Sequence, residues 1–576
     1  MKKIICLVVL IICLAGCSFG GNGHSDKEYE MVTQGSEGLE YTLLKDNTYA
    51  VVGVGTCSEK VIIIPSIYQG VPVTEIQSSA FKDCDNIETV MVSHGIKTIL
   101  LNVFANCSML KTVVIPQSVE NIWLSAFSKC YALENVYYNG EIRDWLNIGF
   151  ENSVSNPLSF ATNLYLLDDD GAEEFNNKKY EKLADLVVPE GVVQVKPYAF
   201  YGYDELNSIT LPKSLKEISE QQPFAGCKKN LKAIKINSWN PTYDSRDNCN
   251  AIIESKTDTL IYGINTSTIP KSVEIIGEQA FADCDNLTSI VIPKKVNTIE
   301  TSAFANCRYL VEIYNLSSLS LKINSTNHGS IALNAKVIHT SLNEKTSITS
   351  QDDFKFITAK EATYLFKYIG SNEEITLPQG EYVVNQYAFM NNEKIKEVII
   401  PEGVTAVGDN AFDGCHNLTS IRISSTVVDF GVNCFYWCNN LENIIVDENN
   451  PIYDSRDNCN AVIFKQYNLL VIGCKGTVIP ESVSTIDDFS FPGSTDLEGI
   501  IIPKTVNSIS SYAFFQCNSL KDIYYGGSEA EWENFTTSFI EELPLEVTVY
   551  FYSENEPNEE GNYWHYNENN VAVIWQ

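Results

Sequence analysis

Histidine is scarce in this sequence, six in 576 residues, at positions 24, 94, 328, 339, 416 and 565. None opens an H-E-x-x-H helix or a recognisable nucleophile motif, so neither zinc hydrolysis nor histidine-assisted nucleophilic catalysis has a signature here. No glycine-rich loop follows a strand to cradle a phosphate. Basic residues are also short, 40 Lys and Arg against 73 Asp and Glu, and the formal charge of −33 carries no offsetting basic patch. A chain of that sign repels nucleic acid. C-x-x-C is missing although there are seventeen cysteines, which removes the commonest zinc and redox spacings. The apolar run at 4–14 is too short to span a bilayer stably. What is left is a folded, acidic, solvated protein whose function must be sought on a surface.

What the sequence has in abundance is repetition. The phrase A-F-x-x-C-x-x-L-x-x-I-x-I-P recurs, with phenylalanines 23 residues apart at 81, 104 and 127, at 281 and 304, at 389, 412 and 435, and at 491 and 514. Phe200 and Phe224 are two further anchors. A fixed period in the twenties marks one supersecondary unit stacked on copies of itself, because a single unit cannot bury its own apolar face. In the unit from Leu110, the period-2 pair Val113 and Ile115 predicts a short strand buried on one face, which Pro116 ends. Val119, Ile122 and Phe127 then point inward from an irregular or helical return segment, closed by Cys130 and Leu133. These landmarks resemble the leucine-rich repeat of bacterial BspA-like surface proteins, and the resemblance covers nearly everything after about residue 38. The fold class expected is a strand-rich α/β repeat protein, a leucine-rich repeat solenoid with inserted β-hairpins and capping segments.

Three residues after each anchor stands Cys84, Cys107, Cys130, Cys227, Cys284, Cys307, Cys415, Cys438 or Cys517, with Asn392, Ser494 and Tyr203 as the departures. Cys, Asn and Ser share a modest hydrogen-bonding side chain, which predicts a buried ladder that satisfies backbone groups at each bend. Stacked coils lie roughly 5 Å apart, close to disulfide reach. The isolated Cys227 and Cys517 nonetheless fill the same place without a neighbour, so free thiols are expected.

Met1-Lys2-Lys3, the apolar run at 4–14 and Leu14-Ala15-Gly16-Cys17 read as a lipoprotein signal peptide (1–16), with Cys17 as the lipidated residue. A polar stretch containing Gly20-Gly21-Asn22-Gly23 predicts a flexible tether over 17–38. Three repeat runs are expected at 39–170, 171–345 and 346–550, followed by a C-terminal cap at 551–576. Lead-in segments at 39–81, 184–200 and 364–389 open the runs. Tyr137-Tyr138-Asn139-Gly140 with Trp145, and Tyr524-Tyr525-Gly526-Gly527 with Trp532, close two of them by covering the last coil. Residues 324–353 lack anchors and read as a pair of degenerate coils in preference to a joint.

One segment is duplicated at a shift of 210 residues, N-P-T-Y-D-S-R-D-N-C-N-A-I-I from Asn240 and N-P-I-Y-D-S-R-D-N-C-N-A-V-I from Asn450. It predicts an inserted β-hairpin, with Cys459 and Cys474 as a candidate cross-hairpin pair in the second copy alone. Asp244, Asp247 and Asn250 miss the EF-hand spacing, and Arg246 would neutralise one carboxylate, so no metal is expected, nor any cofactor.

In L-x-x-V-x-I the outward residues form one row: Met91, Val114, Tyr137, Thr210, Val291, Tyr314, Ile399, Arg422, Ile445, Ile501 and Tyr524. Either they only pack against one another across neighbouring strands, or they form the candidate binding face, since an apolar, aromatic-bearing stripe suits a protein partner. The resemblance implies a recognition and adhesion protein whose partner is a host or neighbouring-cell protein; with no catalytic motif and a lipidated Cys17, the expectation is a non-catalytic surface protein anchored on the outer side of the cell envelope. A carbohydrate-binding accessory protein and a passive envelope spacer are the alternatives.

Overall fold

The computed structural model describes residues 31–575, apart from 221–222, 361, 492, 534–542, 544–546, 559–560 and 570. Each coil of about 23 residues contributes one strand to a front sheet and one shorter strand to a back sheet. The front strand is the expected one. Thr89–Val92, Thr112–Pro116, Asn135–Asn139 and Asn163–Leu167 pair in parallel, with Met91, Val114, Tyr137 and Tyr165 in register. The back strand corrects the sequence reading. The return segment is not helical: Val71–Ile76, Thr98–Ile99, Asn121–Ile122 and Gly149–Phe150 form a second parallel ladder. Among the described residues the α-helices are single turns, Ile142–Trp145 and Glu529–Trp532.

The core lies between the two sheets and is threaded by the anchor rings. Phe81, Phe104 and Phe127 are fully buried, with centroids 5.5 and 5.3 Å apart. Phe389, Phe412 and Phe435 stack at 4.6 and 5.4 Å. Around most anchors the chain makes two tight turns, and the residues two before and two after the ring take left-handed φ, as at Asn102 (55°) and Asn106 (62°). Asn, Asp and Gly tolerate that conformation best, which explains their frequency there. The turns also bond from coil to coil, Phe81 N–H to Val103 O at 3.0 Å and Phe104 N–H to Ala126 O at 2.8 Å.

The cysteine ladder does what its chemistry predicts. Cys107, Cys130 and Cys517 donate their thiols to the carbonyls of Phe81, Phe104 and Phe491 at 3.0 Å, and Cys307, Cys415 and Cys438 do the same within 3.2 Å. Every described cysteine is free. Burial pushes the Cys130, Cys415 and Cys517 thiols up to about 12, so they stay protonated donors.

Two compact units emerge. Of the described residues, the first comprises those within 31–183, 195–203 and 219–224, and the second those within 184–194, 204–218 and 225–575. Back sheets start from antiparallel strands. Glu40–Leu43 pairs with Tyr49–Gly53, which then runs parallel to Val71–Ile76. Ile348–Gln351, Phe354–Ala359 and Ala362–Tyr368 form a meander before Tyr382–Val384. The duplicated inserts follow the same plan, Ala251–Glu254 with Thr259–Gly263 and Val462–Phe464 with Leu469–Ile472. Gly263 and Gly473 are needed in those strands, because a Cβ at either would meet the ring of Phe281 or Phe491 within 2.5 Å.

Three smaller expectations change and a fourth holds. The end of the tether is anchored: Ser36 N–H bonds to Ile63 O at 2.9 Å and Ser66 N–H to Val32 O at 2.8 Å. Residues 324–353 hold one degenerate coil, with Val337–His339 parallel to Glu312–Asn315, and not two. Trp145 does not end a stack. It is buried and donates to Ala199 O at 2.8 Å, so the coil bearing Phe200 continues from it within the first unit. Trp532 does pack on Tyr525, at 5.2 Å, and Trp564 covers the same coil by donating to Tyr525 O.

Candidate recognition surface

The outward row exists, but its members differ in exposure. In the first unit it is covered. The hairpin of Glu173–Phe175 and Lys178–Lys182 pairs onto Asn163–Leu167 and folds its aromatic residues across the sheet. Tyr137 is stacked on Tyr165 (4.8 Å) and Phe175 (4.4 Å), with Tyr180 at its edge (4.9 Å). Val114 and Tyr137 are therefore buried, at 4% and 5%, and Met91 is half-buried in the same small cluster. This corrects the expectation that all three face solvent. The pattern L-x-x-V-x-I gives the side of the sheet, and a non-repeat hairpin decides whether that side is wet. Burial, with Glu173 nearby, pushes the Tyr137 hydroxyl up to about 12.

In the second unit the row is open in part. Thr210 is half-buried between Val187 and Lys235 on the paired strands. Val291 is exposed, and the next residue, Tyr314, stacks at 4.5 Å on His339, which the repeat pattern had missed. Ring nitrogens of His339 bond Glu312 (2.9 Å) and Glu344 (3.0 Å). Burial would lower the pKa of this imidazole, but the two carboxylates outweigh it and hold it above the usual value. Ile501 and Tyr524 are half-buried, with Tyr524 stacked on Tyr550 at 5.4 Å and edge-on to Trp564.

The open stretch is Glu374–Thr376, Glu397–Ile400, Ser420–Ile423 and Asn443–Val446. Thr376, Ile399, Arg422 and Ile445 stand opposite one another in that order. All four are exposed, Ile399 at 41% and Ile445 at 39%. Glu374, Glu397 and Asn443 line one margin and are exposed too. The result is an aliphatic centre bearing one guanidinium, with a polar rim.

The duplicated inserts are self-satisfied. Arg246 forks onto Asp244 (2.7 and 2.5 Å) and reaches Asp258, while Arg456 forks onto Asp454 (2.8 and 2.8 Å) and reaches Asn468 at 2.9 Å. Such bidentate pairs fix loop geometry and leave the carboxylates little to offer an ion. Cys474 donates to Asn460 O at 3.2 Å, so it is not bridged to Cys459.

A cleft of about 810 Å³ lies beside the turns of the coils bearing Phe281, Phe304 and Phe389. Lys228 is buried in its wall, under Tyr262, and donates to Ala280 O at 2.9 Å. Lys367 lies 4.0 Å over Tyr309 and donates to Asp285 O at 3.1 Å, and burial pulls its ammonium down to about 8. Arg308 is paired with Asp285. These cations hold turn carbonyls and carboxylates in place, which is a structural use. Among the described residues no group of three His, Cys, Asp or Glu side chains is arranged to hold a metal ion. Cys17 lies outside the described residues.

A family model described as a BspA type leucine rich repeat region, in six copies, matches residues 56–157, 171–247, 261–362, 361–460 and 464–549. The chain belongs to the BspA-type leucine-rich repeat family. Among solved structures it is similar to a leucine rich cell surface protein from Faecalibacterium prausnitzii, at 22% identity over 88% of this chain and 98% of that one, with a TM-score of 0.25. A leucine-rich repeat protein from Eubacterium ventriosum is similar at 15% identity over 89% and 96%, with a TM-score of 0.27. The pneumococcal vaccine antigen PcpA is similar at 14% over 88% and 97%, with a TM-score of 0.25. No curated protein matches. In this BspA-type chain the Phe and Cys landmarks are consumed by the core, which leaves the outward strand residues and the turns as the positions that packing constrains least.

Proposed function

We propose that this protein is a non-catalytic recognition protein held by a lipid on Cys17 to the outer side of a bacterial cell envelope. Its contact face for an extracellular or cell-surface protein is the sheet from Glu374–Thr376 to Asn443–Val446. One observation carries this reading. Ile399, Arg422 and Ile445 stay exposed and in register, whereas the equivalent Val114 and Tyr137 are sealed by a dedicated hairpin. Protein interfaces are built from an apolar centre, often with Arg, inside a polar rim, and aliphatic side chains on a flat sheet offer little to a sugar.

The test is an array of extracellular proteins probed with the intact chain, followed by Ile399→Glu with Ile445→Glu. Neither side chain reaches the core, so the double variant should keep its melting temperature and lose binding at least tenfold. Unchanged binding, or loss only on altering Asp244 and Asp454 in the inserts, would move the contact face elsewhere. Cys17→Ala should release the protein from the envelope or leave its precursor uncleaved. An intact mass with an unacylated residue at the mature terminus would refute the anchor.

A further inference from the structure

The last coils of the second unit carry a group of aromatic side chains that the fold does not require. Tyr436 and Trp437 follow the anchor Phe435, Phe489 precedes Phe491, and Tyr512 and Phe515 flank Phe514. Phe489 and Tyr512 stack at 5.4 Å with an interplanar angle of 6°, and Phe515 stands edge-on to both, at 5.8 and 6.0 Å. Tyr436 and Trp437 lie 5.8 Å apart, and Gln516 joins them by accepting from the Tyr436 hydroxyl and from Trp437 Nε1 at 3.3 Å. The coil between presents Gly493, where a Cβ would meet Trp437 Cδ1 at 2.5 Å. Five rings thus share one turn surface, and it is a wet one: Trp437 and Tyr512 are each 42% exposed, and the other three are half-buried.

Their placement runs against local preference. Trp437 sits two residues after its anchor with φ 56°, a position held in other coils by small or polar residues such as Asp83, Asn106, Asn306 and Gly414, and by Lys129 and Gln516, whereas Phe489, with φ 55°, shares its position with Tyr198 and Tyr387. Bulky side chains in the left-handed region are strained. An exposed ring in a strained place, where Asn would relieve the strain, indicates a role outside the core.

We infer that this cluster is a carbohydrate site that stacks neutral pyranose rings of a glycan chain. Flat aromatic faces suit the C–H face of a pyranose, and the Gln516 NH2, whose amide oxygen is taken by Tyr436 and Trp437, supplies in-plane donors to hydroxyls. Asp487 and Asp488 stand beside Phe489, and Asp488 accepts from Tyr512 N–H at 3.3 Å. With a net charge of −33 behind them, these carboxylates repel uronic or sialic acid polymers and nucleic acid, which leaves a neutral sugar as the occupant. The aromatic turns and the aliphatic strand face are separate surfaces, and this inference does not rest on the protein partner.

The experiment titrates the intact chain with cellohexaose, mannohexaose and galactohexaose, with hexagalacturonate as the acidic control, followed by tryptophan fluorescence and calorimetry. At least one neutral hexasaccharide should saturate and the acidic one should not. Trp437→Ala with Tyr512→Ala should weaken that binding about tenfold or more, Trp437→Phe should restore part of it, and Trp239→Ala, an exposed ring elsewhere, should leave it unchanged. Should the double variant fail to fold, ligand-observed saturation-transfer NMR on the unaltered chain gives an independent reading through aromatic irradiation. No saturable binding of any neutral sugar at millimolar concentration, binding of hexagalacturonate alone, or binding that survives the double change in a folded protein would each overturn the inference.

Discussion

Replacing Phe412 by alanine is the sharpest test of how the coils hold together. Its ring is fully buried, 4.6 Å from Phe389 on one side and 5.4 Å from Phe435 on the other, nearly parallel to both. Removing a fully buried aromatic side chain costs about 3–5 kcal/mol in transfer and cavity terms together. Each lost ring contact adds about 0.5–1.5 kcal/mol, so Phe412 belongs at the upper end of that range. Phe127 is equally buried but is stacked on Phe104 alone, so Phe127→Ala should cost about 1 kcal/mol less. The backbone ladder is untouched by either change, because Cys438 donates to the Phe412 carbonyl and not to its ring. Hydrogen exchange with mass spectrometry gives the readout coil by coil. Nearest-neighbour coupling predicts that protection falls first over 374–446 for Phe412→Ala and over 89–139 for Phe127→Ala, with the other unit unchanged in each case. A cost below about 2 kcal/mol for Phe412→Ala would refute the stacked-core reasoning, given the burial on both sides. Equal loosening of every coil would refute the nearest-neighbour part.

Three further outcomes follow from the ladder and from His339. Cys415→Ala leaves the Phe389 carbonyl without its donor and should cost about 1–3 kcal/mol, while Cys415→Ser keeps a donor and should cost less, as measured by denaturant unfolding. Native-state alkylation with iodoacetamide should modify Cys84, the half-exposed ladder thiol, before any other described cysteine; rapid labelling of Cys130 or Cys415 would contradict their burial. The pKa of His339 is raised in the folded state, so its contribution to stability is full below about 6.5 and is lost as pH rises through the folded value. The melting temperature of the unaltered chain relative to His339→Gln should therefore be greater at pH 5.5 than at pH 8.5, and a pH-independent difference would show that the Glu312 and Glu344 contacts do not depend on charge.

The parts of this fold legible in the sequence are those the period enforces. Val113 and Ile115 announce a strand because an apolar period of two has few other uses in a coil that a proline ends, and the Phe and Cys landmarks announce their buried partners because both must fit the same narrow space in every turn. The back strand was missed for the same kind of reason. Thr98–Ile99 and Asn121–Ile122 are two residues long, so each has one inward side chain and no alternation to read; only the stack of coils reveals them as a sheet. The sealing of Val114 and Tyr137 was equally hidden, because Glu173–Phe175 and Lys178–Lys182 lie outside the repeat and their pairing is a long-range event.

A repeat protein separates its obligations, and that separation locates the function. Inward positions are fixed by packing, Phe carbonyls by the thiol ladder, and insert carboxylates by their own arginines, so substitutions there report on folding. The outward strand residues and the exposed side chains of the turns carry no such duty. Where they nonetheless depart from what is cheapest, as with the exposed isoleucines at 399 and 445 or with tryptophan at a left-handed φ at 437, stability is spent without return inside the fold. Those departures fall on two different surfaces, aliphatic on the sheet and aromatic on the turns, and two surfaces of unlike chemistry call for two unlike ligands. Glutamate at 399 and 445 should therefore spare sugar binding, and alanine at 437 and 512 should spare protein binding. If either pair of changes abolished both, the two surfaces would be one site.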